Sequence, residues 1–134
     1  MATDPAFSST INNGTALLGS AATNLQAADN ISTIITAGAS GTKIEEIVVE
    51  ASNTTLTATT VAVLVYIFLH DGSTYHLFDT FTISAVTASS TAAPFRASKT
   101  YLNLIIKTGW SVRASQSVSG NASLLKCHVF GADL

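Results

Sequence analysis

A long apolar run at residues 61–69 constrains the fold of this chain more than any other segment. Apolar side chains occupy both the odd and the even positions of the run, a pattern typical of a strand whose two faces are both covered. The residues His70-Asp71-Gly72-Ser73 follow, and a second β-rich run occupies residues 74–83. Because Asp and Gly tolerate positive φ angles, the two runs predict a β-hairpin in a two-layer β domain.

Further strand signals recur about every ten residues along the chain. They cover residues 31–36, 43–51, 99–107, 110–117 and 122–130. Ile44 shares the parity of the neighbouring glutamates rather than that of Ile47, which predicts a β-bulge or an edge position near Glu45. Seven or eight short strands without a long helix predict an all-β fold, an antiparallel β-sandwich that is most simply a jelly roll.

The first thirty residues differ from the rest because their apolar side chains are sparse. We expect an extended N-terminal arm at residues 1–30 and a β-sandwich domain at residues 31–134. The arm offers a short strand near residues 15–18 or, as an alternative, a short helix at about residues 21–28.

Isolated apolar side chains in such an arm need a neighbouring subunit or the domain surface to dock on. The candidate assembly interface therefore consists of the apolar side chains Phe7, Ile11, Leu17 and Leu18. Pairing of these residues with another chain would order the arm on binding, at an entropic cost.

The composition narrows the range of partners. Charged residues make up 10% of the chain, against about 25% in an average soluble domain. A surface built from Thr, Ser and Ala is poorly hydrated, so we expect much of it to be buried in an assembly. The six Lys and Arg residues and the net charge of -2 argue against nucleic acid as a partner. No apolar run reaches the length of a membrane-spanning helix, so we predict no membrane contact.

Ionisable side chains cluster near the predicted hairpin. His70, Asp71, His76 and Asp79 could bind a metal ion or act as acid and base if they converged. Adjacent residues of a strand point to opposite faces, however, and Asp71 is more simply a turn former. We therefore predict no catalytic residue, no metal site and no cofactor, and we rank a hydrolase with a dispersed Ser–His–Asp set below the other hypotheses.

Aromatic residues offer a different kind of site. Trp110, Tyr75 and Tyr101 could form a face that stacks on sugar rings. Packing in the core or in an interface explains the same residues, and Trp110 stands where it could plug one end of the sandwich.

Three segments, residues 43–51, 66–77 and 108–115, resemble small virion proteins of tailed bacteriophages. The resemblance extends from about residue 31 to the C-terminus and lies in the succession of a strand, an Asp-Gly hairpin and a strand that begins with Gly-Trp. Proteins of this kind are often capsid decoration, or cement, proteins with a β-sandwich fold. They commonly sit as trimers at the junctions between capsomers and clamp neighbouring major capsid subunits.

The resemblance implies a non-enzymatic structural protein that stabilises a phage head. Its partners would be the major capsid protein and its own copies in a homotrimer, and its location would be the capsid surface after synthesis in the host bacterial cytoplasm. The alternative hypothesis is a carbohydrate-binding β-sandwich module on a phage tail, fibre or head.

Overall fold

The structure, a computed structural model, describes residues 10–26, 30–52, 59–121 and 124–134. These residues form eight β-strands and one turn of 3₁₀ helix. The strands are β1 (Thr10–Leu17), β2 (Ser32–Thr36), β3 (Thr42–Ala51), β4 (Val63–His70), β5 (Tyr75–Ile83), β6 (Arg96–Ile106), β7 (Ser111–Gln116) and β8 (Leu125–Asp133), and the 3₁₀ turn is Ser119–Asn121. No helix within the described ranges is long and apolar enough to cross a membrane.

The strands form two four-stranded antiparallel sheets, which confirms the predicted antiparallel β-sandwich. The front sheet has the order β1-β8-β3-β6, and the back sheet has the order β2-β7-β4-β5. The pairs are nested in the chain, since β1 pairs with β8, β2 with β7, β3 with β6 and β4 with β5. The two sheets bury their inner faces against each other, as sandwiches do.

The predicted hairpin and the predicted bulge are both present. Strands β4 and β5 pair directly, and Gly72 in the connecting turn has a φ of 100°. Asp71 shapes this turn, because its Oδ1 accepts hydrogen bonds from the backbone N–H groups of Ser73 and Thr74. The bulge in β3 interrupts the register between Ile44 and Glu46, where the parity of the sequence places it.

The N-terminal segment differs from the expected arm where it is described. Strand β1 pairs with β8 over its whole length, from Thr10 opposite Asp133 to Leu17 opposite Lys126. A Cβ atom at Gly14 would overlap the carbonyl oxygen of Ile34, so glycine permits the edges of the two sheets to come together. The sandwich therefore includes β1 and does not begin near residue 31. The sequence of β1 does not mark it as part of the sandwich, because its apolar residues are sparse. Backbone pairing with β8, and not a continuous apolar face, keeps the strand in the sheet.

The loop after β1 does not form the short helix that was the alternative prediction for this segment. The described part of the alternative helix, residues 21–26, is not helical. Ala21 forms an isolated parallel bridge with Gln116, and the Ala22 N–H donates to the Gln116 carbonyl. The chain thus crosses from the front sheet to the end of β7 before it enters β2.

The core lies between the sheets and draws on all eight strands or their immediate neighbours. Its fully buried members include Leu18, Ile44, Ile47, Val49, Val65, Ile67, Ile83, Val112, Leu125, Cys127 and Val129. Burial raises the pKa of the Cys127 thiol to about 12. Inward positions alternate with outward ones along β8, so Lys126 and His128 lie on the opposite side of the strand from Cys127.

Candidate functional site

Large apolar side chains are exposed at one end of the outer face of the front sheet, here called the front face. The strand register places Ile11, Ala132, Lys43 and Ile105 in one row across β1, β8, β3 and β6. Ile11 is 78% exposed and Ile105 is 54% exposed. Phe130, two residues from Ala132 on the same face, is 41% exposed. We call Ile11, Ile105, Phe130 and Ala132 the front apolar patch.

A polar network fixes the end of the sheet that carries this patch. Asn12 Nδ2 and Thr42 Oγ1 both donate to Asp133 Oδ1, at 2.7 and 2.6 Å. These hydrogen bonds, led by the one from Thr42, lower the pKa of the Asp133 carboxyl from its ordinary value. The three residues belong to β1, β3 and β8, so the network locks the first, central and last strands together beside the patch.

The middle of the front face is polar. His128 lies between two side chains, with Nε2 2.8 Å from Glu50 Oε1 and Nδ1 2.8 Å from Thr15 Oγ1. Lys43, which lies between Ala132 and Ile105 in the row, forms an ion pair with Glu45 at 3.1 Å. Ile11, Ile105 and Phe130 are thus exposed toward one end of this face, while Leu17 is 46% exposed at the other end of β1.

The open side of the sandwich, where β5 and β6 face each other, is joined by hydrogen bonds. Asp79 accepts from Lys99 Nζ at 2.8 Å and from the Tyr101 hydroxyl at 2.7 Å. The Phe78 ring lies 5.5 Å from the Tyr101 ring, and neighbouring Leu102 is 89% exposed. This side combines an intersheet clasp with exposed apolar residues.

The outer face of the back sheet, here called the back face, buries a second aromatic layer. Phe68 is fully buried although it does not belong to the core between the sheets. The Tyr75 ring contacts Phe68 with ring centroids 6.1 Å apart, and His70 lies 4.3 Å from Tyr75. The apolar residues on both parities of β4 predicted that both of its faces would be covered. The burial of Phe68 and His70 confirms this near the hairpin, whereas Leu64 at the start of the strand is 37% exposed.

Arg113 of β7 lies over this layer. It stands opposite Phe68 in the strand register, and its Cζ is 5.3 Å from the centre of the Tyr75 ring. Its Nη1 donates to the Tyr75 hydroxyl at 2.8 Å, and its Nε donates to Ser111 Oγ at 2.9 Å. Burial and, to a smaller extent, the charge of Arg113 lower the pKa of His70. A neutral His70 ring fits the hydrogen bond that its Nδ1 accepts from Gly72 N–H.

A pocket of about 440 Å³ opens beside Arg113 and Tyr75. Its other walls come from the end of β1 and from the loop that leads into β2, including Leu17, Ser20 and Ser32. Sequence reasoning missed this Arg113 pocket, because residues distant in the chain form it and no local motif marks it.

The predicted assembly residues have different environments. Ile11 and Leu17 are exposed on the front face. Leu18 is fully buried in the core, so it is not available to a neighbouring subunit. Its inward position follows from the alternation of side chains along the strand that ends at Leu17. Phe7 lies outside the described residues.

The three aromatic residues predicted as a sugar face are not on one surface. Trp110 packs against the core at the start of β7 and stacks on His76 at 6.3 Å. Tyr75 belongs to the back face, and Tyr101 belongs to the β5–β6 side. A shared stacking platform of these three rings is therefore not formed.

The ionisable residues near the hairpin separate in a similar way. His76 Nε2 pairs with Asp71 Oδ2 at 2.9 Å. This contact, with the backbone N–H groups of Thr74 and Ser73, holds the pKa of Asp71 well below its usual range. His70 points to the back face and Asp79 to the β5–β6 clasp. Within the described ranges, no three His, Cys, Asp or Glu side chains are grouped so that they could hold a metal ion.

Comparisons with known proteins identified no relative of this chain. No protein-family model matches the chain. Neither a search of curated proteins nor a search of solved structures finds a match.

Proposed function

We propose that this chain is a non-enzymatic structural virion protein that decorates a phage capsid. In this proposal it stabilises the shell by bridging neighbouring major capsid subunits, and it acts as a homotrimer. Its work is then done by surface contact, and the surfaces that matter are those where apolar side chains meet solvent in the isolated chain.

The front apolar patch is the observation that carries the proposal. Single exposed apolar residues are common on soluble proteins, but several of them gathered at one end of a sheet face, here from β1, β8 and β6, favour an interaction surface. The patch stands in a chain with only 10% charged residues, so few charges would have to be desolvated when a neighbouring subunit covers it. Low charge and exposed apolar area together favour a role in a permanent assembly.

The fixed geometry at the patch supports the same proposal. The Asn12–Asp133–Thr42 network ties three strands together directly behind it. A surface that is already ordered loses less conformational entropy when it binds. A shell protein under outward load would gain from such a contact, since a β-sandwich joined at its edges deforms little.

The strand order adds an argument by analogy. We interpret the nested pairs of the two four-stranded sheets as a jelly roll, an architecture that viral capsid proteins also use. Fold does not fix function, so this analogy is weaker than the argument from the patch.

A rebinding experiment tests the proposal. Heads stripped of the protein are incubated with purified wild type or with the double variant Ile11→Ser/Ile105→Ser, and bound protein is measured after sedimentation. Removing two exposed apolar side chains from a buried contact should weaken binding about tenfold or more, given about 25 cal/mol for each Å² of apolar surface.

The matched control is Val118→Ser, which removes a side chain of similar exposure in the loop after β7. It should bind as wild type does. Equal binding of the double variant and wild type, or equal weakening by the control, would contradict the assignment of the front apolar patch. Native mass spectrometry of the isolated protein should show a trimer, and a monomer at all concentrations would remove the trimer from the proposal.

A further inference from the structure

We propose that the Arg113 pocket binds a small sugar acid, a ligand with one carboxylate and several hydroxyl groups. This site lies on the back face, on the other sheet from the front apolar patch. It therefore goes beyond the proposed structural role and does not depend on it.

The charge of Arg113 supplies the first reason. A guanidinium carries five N–H donors. Two of the five, one on Nε and one on Nη1, are used by Ser111 and Tyr75. None of the ion pairs among the described residues includes Arg113. The remaining donors suit an oxyanion, and the planar fork of Arg matches a carboxylate in a bidentate arrangement.

The position of the guanidinium supplies the second reason. Arg113 and Tyr75 both line the pocket, and a hydrogen bond of 2.8 Å joins Nη1 to the Tyr75 hydroxyl. This hydrogen bond therefore joins the polar ends of two residues that line the pocket. Ser111 holds the guanidinium group from the other side, and the buried aromatic layer lies beneath it. An arginine fixed in this way needs little further ordering when an anion arrives.

The rest of the lining selects among anions. Ser20 and Ser32 provide hydroxyl groups that can bond to ligand hydroxyls, while Leu17 and Ile31 provide apolar contact. Sugar rings carry both kinds of surface, with hydroxyls at the edge and C–H groups on the faces. The volume of about 440 Å³ lies within the range of small-ligand pockets, roughly 300–1,000 Å³, and suits one sugar unit.

Titration calorimetry with sodium glucuronate as the probe tests this inference, with glucose and inorganic phosphate as comparison ligands. Glucuronate should bind in a saturable manner. Glucose, which lacks the carboxylate, should bind about tenfold more weakly or worse, because bonds to charged groups are the stronger ones. Phosphate should also bind more weakly, since it cannot use the hydroxyl and apolar contacts of the lining.

Two variants locate the binding. Arg113→Gln should lower glucuronate affinity about tenfold or more. The matched control Arg96→Gln removes an exposed arginine from the front sheet and should leave the affinity unchanged. If Arg113→Gln does not fold, Gly19→Leu serves instead. A Cβ at Gly19 meets no atom within 4 Å, so a side chain can be added there at the pocket lining, where it should hinder binding.

Three outcomes would overturn the inference. They are the absence of saturable glucuronate binding, equal affinity for glucuronate and phosphate, and undiminished binding when Arg113 is replaced or the pocket is blocked. The double variant Ile11→Ser/Ile105→Ser should bind glucuronate as wild type does, so that failure at the pocket and failure of the structural role are distinguishable.

Discussion

The outer faces of the two sheets differ although their inner faces share one core. The front face exposes Ile11, Ile105 and Phe130 toward one end, and Leu17 is 46% exposed at the other end of β1. The back face packs an aromatic layer of its own, with Phe68 fully buried and Tyr75 nearly so, although Leu64 and Leu77 on the same face are 37% and 47% exposed. The back face thus has a buried aromatic layer outside the core between the sheets, whereas no residue of the front apolar patch is buried.

This contrast separates stability from association. On the back face, Arg113 and its hydrogen bonds complete a second packed layer, so substitutions there should change folding. On the front face, apolar side chains make few contacts within the chain, so substitutions there should change binding to other subunits.

Phe68→Ala should have the largest effect on stability. Truncation of a fully buried aromatic side chain removes apolar contacts and leaves a cavity, at a cost of about 3–5 kcal/mol in the free energy of unfolding. The matched variant Phe130→Ala on the front face should cost less than about 1 kcal/mol, because Phe130 is 41% exposed. Urea denaturation measures both. Equal costs would remove the distinction between the faces.

Gly14→Ala tests the closed side of the sandwich, where β1 meets β2. The added methyl group would overlap the Ile34 carbonyl oxygen, so we expect a loss of about 1–3 kcal/mol, as in overpacked interiors. The control is Gly19→Ala, whose Cβ would meet no atom within 4 Å. A wild-type denaturation midpoint for Gly14→Ala would show that β1 is not held against the back sheet.

Asp79→Asn tests the opposite side, where the clasp joins β5 to β6. Burial raises the pKa of Asp79, but hydrogen bonds from Lys99, from Tyr101 and from the Thr80 N–H outweigh burial and hold the pKa below its ordinary value. The carboxylate therefore contributes stability above its unfolded-state pKa of about 3.9, and this contribution is lost as the pH falls through the lower folded-state value.

We expect the substitution to cost about 1–2 kcal/mol at neutral pH, with a difference from wild type that shrinks in acid. Denaturation at a series of pH values measures this. Glu45→Gln in the exposed Lys43–Glu45 pair should cost about 0.5 kcal/mol or less. A difference that grows toward low pH would have the wrong sign for this account.

The smallest expected effect is the alkylation of Cys127 in the native protein, which should not be detectable. Its thiol is buried in the core, and its pKa is raised to about 12, so little thiolate forms at neutral pH. Alkylation followed by mass spectrometry should label Cys127 in urea and leave it unmodified in buffer. Rapid native labelling would mean that the core between the two faces opens readily.

Local patterns in the sequence predicted much of the fold. The Asp-Gly turn between two apolar runs predicted the β4–β5 hairpin, and the parity change at Ile44 predicted the bulge in β3. Strand β1 was harder to recognise as part of the sandwich, because its inward positions include Gly14 and Ala16 rather than large apolar residues.

The candidate sites were less predictable for a physical reason. The Arg113 pocket joins residues from the end of β1, from the loop before β2 and from β5 and β7. The front apolar patch depends on the register of four strands, which strand signals alone do not fix. Likewise, Trp110, Tyr75 and Tyr101 are all aromatic in the sequence, but only the topology shows that they belong to three different surfaces.

Cryo-electron microscopy of the intact virion tests the central claim most directly, the claim that this chain acts by packing against neighbouring subunits. The account predicts density for the sandwich at symmetric junctions of the capsid, with Ile11 and Ile105 of the front face against another subunit. A sandwich found on the tail, missing from the particle, or attached to the shell with its front face open to solvent would contradict it.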